Sequence, residues 1–369
     1  MNLDLIRKDI DQVDTQILEL FASRMNLSIQ VAEYKKANNL PIFQPHREKS
    51  IIERVRENSP QGLENATEVL FTTMIDSGKC LQNLSLYGDT PLPPPAKFIP
   101  KMQKRISCQG THGAYSETAC RKIFPGSEII FADLFSDVVN AVNNGECDCG
   151  ILPLQNSTIG SITETYELMA LHNFYINAVI RVETSHCLAA KNNVPIKSVL
   201  SKAEALSQCS KFIEHEKLTQ TEFPNTAVAA EFVKNSPDET IACICSKSCA
   251  ERLGLCILNS EISNANPNYT RFICFSKEFS EIADSNIISV SLSVEHSKGA
   301  LYRLLTKFAV SGLNLTKIEN KPIAGSDFNV IFYLDFEGQY NDPRVNALLR
   351  DLGSNNTYFK FLGSFKEII

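Results

Sequence analysis

The sequence predicts a multidomain protein that combines an all-α helical segment, a two-lobed α/β segment and a ferredoxin-like α+β segment. The first segment shows apolar residues at helical spacing, the second alternates short strands with helices, and the third has a βαββαβ order. The chain has 369 residues, which exceeds the usual size of one hydrophobic core. We expect domains at residues 1–88, 104–282 and 285–369, with a proline-rich, extended linker at 89–103.

The first segment is predicted to contain three helices. Its apolar residues alternate spacings of four and three, which is typical of a long helix with a continuous buried seam. The seam consists of Ile6, Ile10, Val13, Ile17, Leu20, Leu27, Val31 and Tyr34. Pro41 and Pro45 break this pattern, and further helices are expected over about Arg47–Asn58 and Leu63–Leu84.

Four cations of this segment, Arg7, Arg24, Lys35 and Arg47, are candidates for binding carboxylates. Arg24 interrupts the apolar seam, where a charge is costly unless it is paired. Lys35 lies about three helical turns further along the same face. Arg7 is about 25 Å from Arg24 along a straight helix, so only an antiparallel partner chain could bring an Arg7 to a ligand of Arg24. The alternative, surface charges on an amphipathic helix, is the one we favour for Arg7 considered alone.

The second segment is predicted to fold as α/β layers around a mainly parallel sheet. Strands at Arg105–Cys108 and Cys149–Leu152 alternate with helical stretches at Ser136–Asn143, Ala203–His215 and Thr226–Val233. The segment is long enough for two lobes with a cleft between them.

The third segment is predicted to have four strands and two helices in ferredoxin-like order. The strands are expected at Ile288–Val294, Leu313–Glu319, Phe328–Phe336 and Tyr358–Phe365, and the helix faces at Leu301–Phe308 and Val345–Leu352.

The composition excludes several classes of protein. The net charge of −6 argues against a nucleic-acid partner, and no apolar run approaches the ~20 residues that span a bilayer. The charged N-terminus is unlike a signal peptide, so we expect a soluble, cytoplasmic protein whose twelve cysteines are free thiols. Cys147 with Cys149 and Cys243 with Cys245 are the closest pairs, but no histidine stands beside them at ligand spacing. We therefore favour buried thiols over zinc and expect neither a metal nor a cofactor.

The helical segment resembles the all-helical chorismate mutases from Leu3 to about Leu84. The order and spacing of its polar residues match the active-site series of that family at Arg7, Arg24, Lys35, Arg47, Glu48 and Gln82. The resemblance implies an intertwined helical dimer and the conversion of chorismate to prephenate. Gln44 and Gly78 depart from the family, which often has an acid and a serine there.

The resemblance also implies a role for each residue. Arg24, Arg47 and the partner's Arg7 would bind the two carboxylates of chorismate. Lys35 and Gln82 would donate to the ether oxygen, and Glu48 would accept from the ring hydroxyl. Such residues suit the reaction, because a pericyclic rearrangement needs a folded substrate and a stabilised ether oxygen, without a nucleophile.

Several polar clusters occur along the α/β segment. Gln109–Glu117 has glycines before a helix, where free N–H groups could face an anion, although a plain structural turn explains the pattern equally well. The other clusters are Pro153–Gly160, His186–Leu188, Ser201 with Gln208-Cys209, Asn225–Ala227 and Asn268–Phe272. Taken singly, these are also explained as caps, turns or core residues; Thr226, for example, is a good helix N-cap.

Together these clusters resemble prephenate dehydratase over essentially the whole segment. The resemblance places Thr270 beside the leaving hydroxyl of prephenate and Arg271 at a carboxylate. Hydrogen bonds to substrate are implied for Asn156, Ser201, Gln208 and Thr226. Gln155 stands where the family usually has glutamate, and Lys202-Ala203-Glu204 replaces a more usual His-Pro-Gln.

The third segment resembles the ACT domain that follows prephenate dehydratases, through Glu295–Tyr302 and Leu313–Glu319. The resemblance implies that phenylalanine binds at a domain–domain interface and restrains the enzyme. The implied ligand residues are Gly299, Ala300, Leu301, Asn314, Leu315 and Glu319. The family pattern Glu-Ser-Arg-Pro is here Glu319-Asn320-Lys321-Pro322, and lysine lacks arginine's planar fork. The alternative is a packing domain that only dimerises.

These resemblances predict a bifunctional enzyme of phenylalanine biosynthesis. It would rearrange chorismate to prephenate, convert prephenate to phenylpyruvate, and be inhibited by L-phenylalanine, as a homodimer or higher even-numbered oligomer. One alternative, supported by Gln155, is an active mutase fused to a non-catalytic, ligand-sensing two-lobed module. A mutase joined to a dehydrogenase would need a GxGxxG nicotinamide fingerprint, which the sequence lacks.

Overall fold

The computed structural model describes residues 2–40, 44–97, 104–265, 267–322 and 330–369. The chain forms two compact units. The first consists of Met1–Pro94 and Asn286–Leu362, and the second of Pro95–Ser285 and Gly363–Ile369. The helical segment therefore shares a unit with most of the third segment, and the α/β segment forms the other unit.

Three helices open the first unit: α1 (Leu3–Ala37), α2 (Pro45–Glu57) and α3 (Glu64–Tyr87). Asn2 caps α1 by accepting from the N–H of Asp4 at 3.0 Å. Pro45 occupies the start of α2, where its missing N–H costs nothing, so this helix begins slightly before the predicted Arg47. Pro41 lies outside the described residues.

The apolar seam of α1 is not buried within one chain, so the predicted burial would need a second chain. Its eight side chains range from 37% exposed at Ile6 to 71% exposed at Leu20. Helical periodicity identifies an apolar face but not what covers it. An exposed apolar stripe of this length is typical of a surface that binds another protein chain.

The second unit alternates short strands with helices and is divided into two lobes. In chain order its elements are β1 (Ala96–Lys97), β2 (Arg105–Gln109), α4 (Tyr115–Ile123), β3 (Glu128–Ala132), α5 (Phe135–Asn143), β4 (Cys149–Asn156), β5 (Gly160–Ser161), α6 (Thr163–Leu171), β6 (Tyr175–Glu183), β7 (Cys187–Ala190), β8 (Ser198–Ser201), α7 (Ala203–Gln208), α8 (Ser210–His215), β9 (Thr219–Glu222), α9 (Thr226–Asn235), β10 (Ile241–Cys245), α10 (Lys247–Leu253), β11 (Cys256–Asn259), β12 (Tyr269–Ser276) and β13 (Ser280–Glu281). The helix predicted over Ala203–His215 is interrupted at Cys209, whose φ and ψ of −115° and 14° are not helical.

The third segment has the predicted βαββαβ order. It contains β14 (Ile287–Ser293), α11 (Ala300–Val310), β15 (Leu315–Pro322), β16 (Val330–Glu337), α12 (Pro343–Asn355) and β17 (Phe359–Ile368). Its strands lie in the order β15-β16-β14-β17. The first two residues of the strand predicted at Phe328–Phe336 lie outside the described residues.

Two sheets define the lobes of the second unit. The first lobe has the strand order β17-β6-β12-β4-β2-β3, and the second has β11-β7-β10-β8-β9. Both sheets are mixed, so the expectation of mainly parallel sheets was wrong. The physical reason is that the chain leaves the first lobe after β6 and returns as β12, which pairs antiparallel with both β6 and β4.

The predicted linker lies partly against α12. Within the first unit, the Asn346 amide donates to the carbonyls of Tyr87 (2.8 Å), Gly88 (3.2 Å) and Thr90, and the Tyr340 hydroxyl donates to the Pro93 carbonyl at 3.2 Å. Residues 98–103 of the predicted linker lie outside the described residues. The part up to Pro93 is therefore held by side chains of the third segment.

A buried charge holds α3, α11 and α12 together in the first unit. The Asp351 carboxylate lies 2.5 Å from the Lys307 ammonium and accepts from the amides of Asn83 (2.9 Å) and Asn355 (2.7 Å). Replacing Asp351 by Ala would leave Lys307 unpaired, and its side chain is only 17% exposed. We expect a loss of about 3–5 kcal/mol in the free energy of unfolding, measured by urea denaturation with circular dichroism.

The matched control for this prediction is Glu53→Ala. Glu53 is 59% exposed and its carboxylate lies 3.8 Å from the Lys49 ammonium, so its loss is expected to change stability by less than about 1 kcal/mol. Equal stability of the Asp351→Ala and Glu53→Ala proteins would contradict a structural role for the buried charge.

Across the described ranges, no helix is both long and apolar enough to cross a membrane.

Candidate active sites

The three N-terminal helices enclose a charged site, here called the helical site. Lys79 of α3 lies at its centre, with its ammonium 3.0 Å from the Glu48 carboxylate and 2.7 Å from the Asp76 carboxylate. Lys35 of α1 is buried near them, and this burial lowers its pKa, an effect that the charge of Glu48 opposes. Asp76 and Lys79 were not singled out from the sequence, although their spacing of one helical turn on α3 could have indicated a pair.

Arg24 and Gln82 lie where α1 packs on α3. The Arg24 guanidinium donates to the Met74 carbonyl at 2.7 Å, and the Gln82 amide donates to the Ser28 carbonyl at 3.0 Å. A Cβ at Gly78 would lie 2.9 Å from the Ser28 hydroxyl oxygen, so glycine permits this close approach of the helices. Burial lowers the pKa of Arg24. Desolvated donors of this kind interact strongly with an anion.

The structure does not bring the other two predicted cations into the same cluster. Arg7 is exposed near the start of α1 and its nearest charged partner is Asp4, at 3.7 Å. Arg47 is exposed on α2. A site that used both Arg7 and Arg24 would therefore require a second chain, since one straight helix separates them by about 25 Å.

A second group of buried polar side chains lies between the two lobes of the second unit and is here called the cleft site. Asn156 ends β4 in the first lobe and donates through Nδ2 to the Thr270 hydroxyl at 2.9 Å and to Asn268 Oδ1 at 2.9 Å. The Thr270 hydroxyl also lies 2.9 Å from the Thr184 hydroxyl. Thr184 was missed in the sequence because it belongs to none of the polar clusters.

Gln208 connects the second lobe to this network. It ends α7, donates to Asn156 Oδ1 at 3.2 Å and accepts at Oε1 from His186 Nε2 at 2.9 Å. His186 is 2% exposed, and its burial lowers its pKa below the ordinary range. Tyr115 closes the other side of His186, with its hydroxyl 3.4 Å from Nδ1. His186, which the sequence alone explains equally well as a core residue, therefore also belongs to the cleft site.

The loop over Gln109–Glu117 serves mainly as a structural turn. Gly113 has a φ of 88°, and an added Cβ would lie 2.9 Å from the Cys249 sulfur of the second lobe, so glycine is required there on both counts. The Gly113 N–H donates to the Glu117 carboxylate at 2.7 Å. Because a carboxylate of the same helix already occupies its N-terminus, an anion site there is not favoured.

Ser201 and Thr226 lie in the second lobe, at the end of β8 and the start of α9. The buried Ser201 hydroxyl donates to the Ile244 carbonyl at 2.6 Å. Thr226 is half-buried and is not the helix N-cap, contrary to the prediction. Asn225 is the cap, because its extended backbone lets Oδ1 accept from the Val228 N–H at 2.8 Å.

Arg271 does not join Thr270 in the structure, and its predicted contact with a substrate carboxylate stays a prediction. Successive residues of a strand point to opposite faces of the sheet. Arg271 therefore faces away from the cleft site, and its guanidinium pairs with Glu367 of β17 at 3.2 Å. Gln155 is the register partner of Arg271 and precedes Asn156, so the same alternation places it on the face of Arg271.

The predicted regulatory residues form two groups. Gly299 precedes α11, which begins with Ala300 and Leu301, whereas Asn314 and Leu315 follow the end of that helix. The eleven residues of α11 span about 16 Å, so a single chain does not bring the two groups together. Asn314 donates to Glu337 at 3.2 Å, and the Glu319 carboxylate lies 3.1 Å from the Lys321 ammonium.

The cysteines form no evident metal centre. Among the residues that the structure describes, no group of three or more histidine, cysteine, aspartate or glutamate side chains is arranged to hold a metal ion. All twelve cysteines are free thiols, and ten of them are buried.

Comparisons with known proteins match both the helical segment and the α/β segment. A model of chorismate mutase type II matches residues 6–83, and a model of prephenate dehydratase matches residues 106–280. The chain is 28% identical to a bifunctional chorismate mutase/prephenate dehydratase of Aquifex aeolicus, covering 99% of this chain and 98% of that protein. It is 31% identical to arogenate dehydratase 2 of Petunia hybrida, covering 71% of each.

Among solved structures, prephenate dehydratase of Arthrobacter aurescens in complex with L-Phe is similar. The two share 26% identity with a TM-score of 0.65, over 71% of this chain and 89% of that one. The two family models together cover more than half of the sequence, in the order seen in the Aquifex protein. The chain therefore belongs to the family of bifunctional chorismate mutase/prephenate dehydratases.

Proposed function

We propose that this chain converts chorismate to prephenate at the helical site and prephenate to phenylpyruvate at the cleft site. The observation that carries the proposal is the presence of two separate buried polar sites, one in each unit. We assign the mutase to residues 1–88, a linker to 89–103, the dehydratase to 104–282 and an ACT domain to 285–369. The cytoplasm is the proposed compartment, because it would keep the free thiols reduced.

At the helical site, chorismate is held folded for a rearrangement within one molecule. Arg24 and Arg47 bind its carboxylates, and Lys35 and Gln82 donate to the ether oxygen as its bond breaks. Glu48 accepts from the ring hydroxyl. Lys35 and Gln82 are each 7% exposed, so their hydrogen bonds to the developing charge act in a dry site.

The helical site is completed in a dimer. The exposed seam of α1 gives a second chain an apolar surface to pack on, and an antiparallel arrangement brings the partner's Arg7 to the carboxylate held by Arg24. A homodimer or a higher even-numbered oligomer follows from this arrangement.

At the cleft site, prephenate loses carbon dioxide and its ring hydroxyl in one aromatisation. The bond from the ring to the carboxylate breaks, its electron pair enters the ring, and the C–O bond breaks at the opposite ring carbon. Thr270 donates a hydrogen bond to the leaving oxygen, and Asn156 and Gln208 orient the substrate from the two lobes. Ser201 and Thr226 bind substrate from the second lobe. Arg271 would answer a carboxylate of the substrate, as the family resemblance implies, and to do so it would exchange its ion pair with Glu367.

The third segment is proposed to bind L-phenylalanine and to restrain the dehydratase. The similar Arthrobacter protein was solved with L-Phe. Gly299, Ala300 and Leu301 lie at one end of α11 and Asn314 and Leu315 at the other, so the ligand is held between two chains. Glu319 lies further along β15. The alternative, a domain that only dimerises, predicts no response to phenylalanine.

The test supplies the purified full chain with prephenate, with and without L-phenylalanine, and follows phenylpyruvate by its absorbance in alkali. Phenylpyruvate formation that phenylalanine suppresses is the expected result. Product without suppression would contradict the regulatory role alone. No product, with chorismate still consumed in a parallel reaction, would contradict the dehydratase and favour the ligand-sensing alternative.

Arogenate is a second candidate substrate of the cleft site. The Petunia relative is named an arogenate dehydratase, and arogenate undergoes the same loss of carbon dioxide and hydroxyl as prephenate. It differs only in carrying an amino group where prephenate carries a ketone. A parallel assay with arogenate, read out as phenylalanine, compares kcat/KM for the two substrates.

A further inference from the structure

The geometry points to Thr184 as a positioning residue for Thr270 in the dehydratase reaction, an inference that rests on the proposed function. Thr184 follows β6, where the chain leaves the first lobe, and its hydroxyl lies 2.9 Å from that of Thr270. The two side chains are 6% and 8% exposed, respectively. Its backbone is fixed as well, because the Thr184 N–H donates to the Asn268 carbonyl at 2.8 Å.

The hydrogen-bond donors around Thr270 can be assigned from the backbone outward. Asn156 Oδ1 accepts from the N–H groups of Thr158 (3.0 Å) and Ile159 (3.1 Å), which can only donate. The amide orientation of Asn156 is therefore fixed, and its Nδ2 must be the donor to the Thr270 hydroxyl. The same reasoning makes Gln208 Nε2 a donor to Asn156 Oδ1, and so it leaves Gln208 Oε1 to accept from His186.

The one proton of the Thr270 hydroxyl then has two destinations. It points to the Thr184 oxygen when Thr270 is the donor, and it is then not available to a substrate. When Thr184 is the donor instead, Thr270 accepts from both Asn156 and Thr184, and its own proton is directed elsewhere. The second arrangement is the productive one, because it presents the proton to the leaving hydroxyl of prephenate.

Thr184 also increases the donor strength of Thr270. As the C–O bond breaks, negative charge develops on the leaving oxygen and is drawn partly onto Thr270 Oγ1. Hydrogen bonds from Asn156 and Thr184 to that oxygen stabilise the charge. The leaving group departs as hydroxide and ends as bicarbonate together with the carbon dioxide released in the same reaction, so both threonines end the cycle unchanged.

The test compares Thr184→Val, which keeps the shape but removes the hydroxyl, with Thr184→Ser, which retains it. For prephenate turnover we expect Thr184→Val to lower kcat by about 10- to 100-fold with KM changed less than about threefold. Thr184→Ser should recover most of kcat. Chorismate consumption by the same preparations reports folding of the first unit, and the KM for prephenate together with the activity of Thr184→Ser reports folding of the second. Wild-type kcat in Thr184→Val, or a serine variant as slow as the valine variant, would overturn the inference.

A double-mutant cycle with Thr270→Val separates positioning from an independent role. If Thr184 acts through Thr270, the double variant is no slower than Thr270→Val alone, because the group that Thr184 orients is already gone. Losses that multiply would overturn the inference while leaving Thr270 in the mechanism. A wild-type protein that forms no phenylpyruvate would instead refute the proposed function itself.

Discussion

Replacing Arg24 by Ala is expected to lower chorismate mutase activity by about 10³-fold and to leave prephenate turnover unchanged. Arg24 lies where α1 packs on α3, and its guanidinium is held in place by the Met74 carbonyl at 2.7 Å. A half-buried, preorganised arginine binds a carboxylate through two hydrogen bonds, and its removal leaves that carboxylate unpaired. The measurements are chorismate consumption and phenylpyruvate formation from prephenate, with the same preparation.

Two companion variants sharpen this prediction. Arg24→Lys keeps the charge without the planar fork, so we expect activity between that of wild type and Arg24→Ala.

Arg7→Ala should also be inactive, but mixing it with Arg24→Ala should recover about a quarter of the wild-type activity, because half of the random dimers have one intact site. If mixing with subunit exchange restores no mutase activity, the result would contradict a site shared between chains. Normal mutase activity of Arg24→Ala would show that Arg24 does not belong to the site.

Replacing Thr270 by Val is expected to lower prephenate turnover by about 10²- to 10³-fold and to leave the mutase intact. Valine retains the shape of threonine but removes the hydroxyl that Asn156 and Thr184 contact at 2.9 Å. The loss reflects one hydrogen bond that strengthens as charge develops on the leaving oxygen. Thr270→Ser is the matched control and should stay within about tenfold of wild type, since it keeps the hydroxyl. Rapid phenylpyruvate formation by Thr270→Val would exclude this role.

The sequence predicted secondary structure well wherever periodicity was strong. The long α1, the three-helix order and the βαββαβ segment all follow from apolar spacing, which is a local property. The predicted relative direction of the strands was wrong, because that direction depends on where the chain returns to a sheet. Here β12 returns between β4 and β6. Periodicity likewise predicts the apolar seam of α1 but does not say whether the same chain or a second one covers it.

The candidate sites were predictable to different degrees. The residues Asn156, Gln208 and Thr270 meet in one network, and their contacts with substrate stay a prediction. The motif does not show that Arg271 and Thr270 lie on opposite faces of the sheet, because adjacent side chains of a strand alternate, and the carboxylate contact of Arg271 stays a prediction. Thr184 was missed because its contact with Thr270 is distant in sequence, whereas the spacing of Lys79 from Asp76 could have indicated their pair.

The central claim, that one chain carries two independent active sites, is tested most directly by giving chorismate to a mixture of the Arg24→Ala and Thr270→Val proteins. Arg24→Ala alone should form no phenylpyruvate, and Thr270→Val alone should accumulate prephenate. The mixture should convert chorismate to phenylpyruvate, because each protein supplies the site that the other lacks. Phenylpyruvate from either variant alone at the wild-type rate, or none from the mixture, would contradict the account.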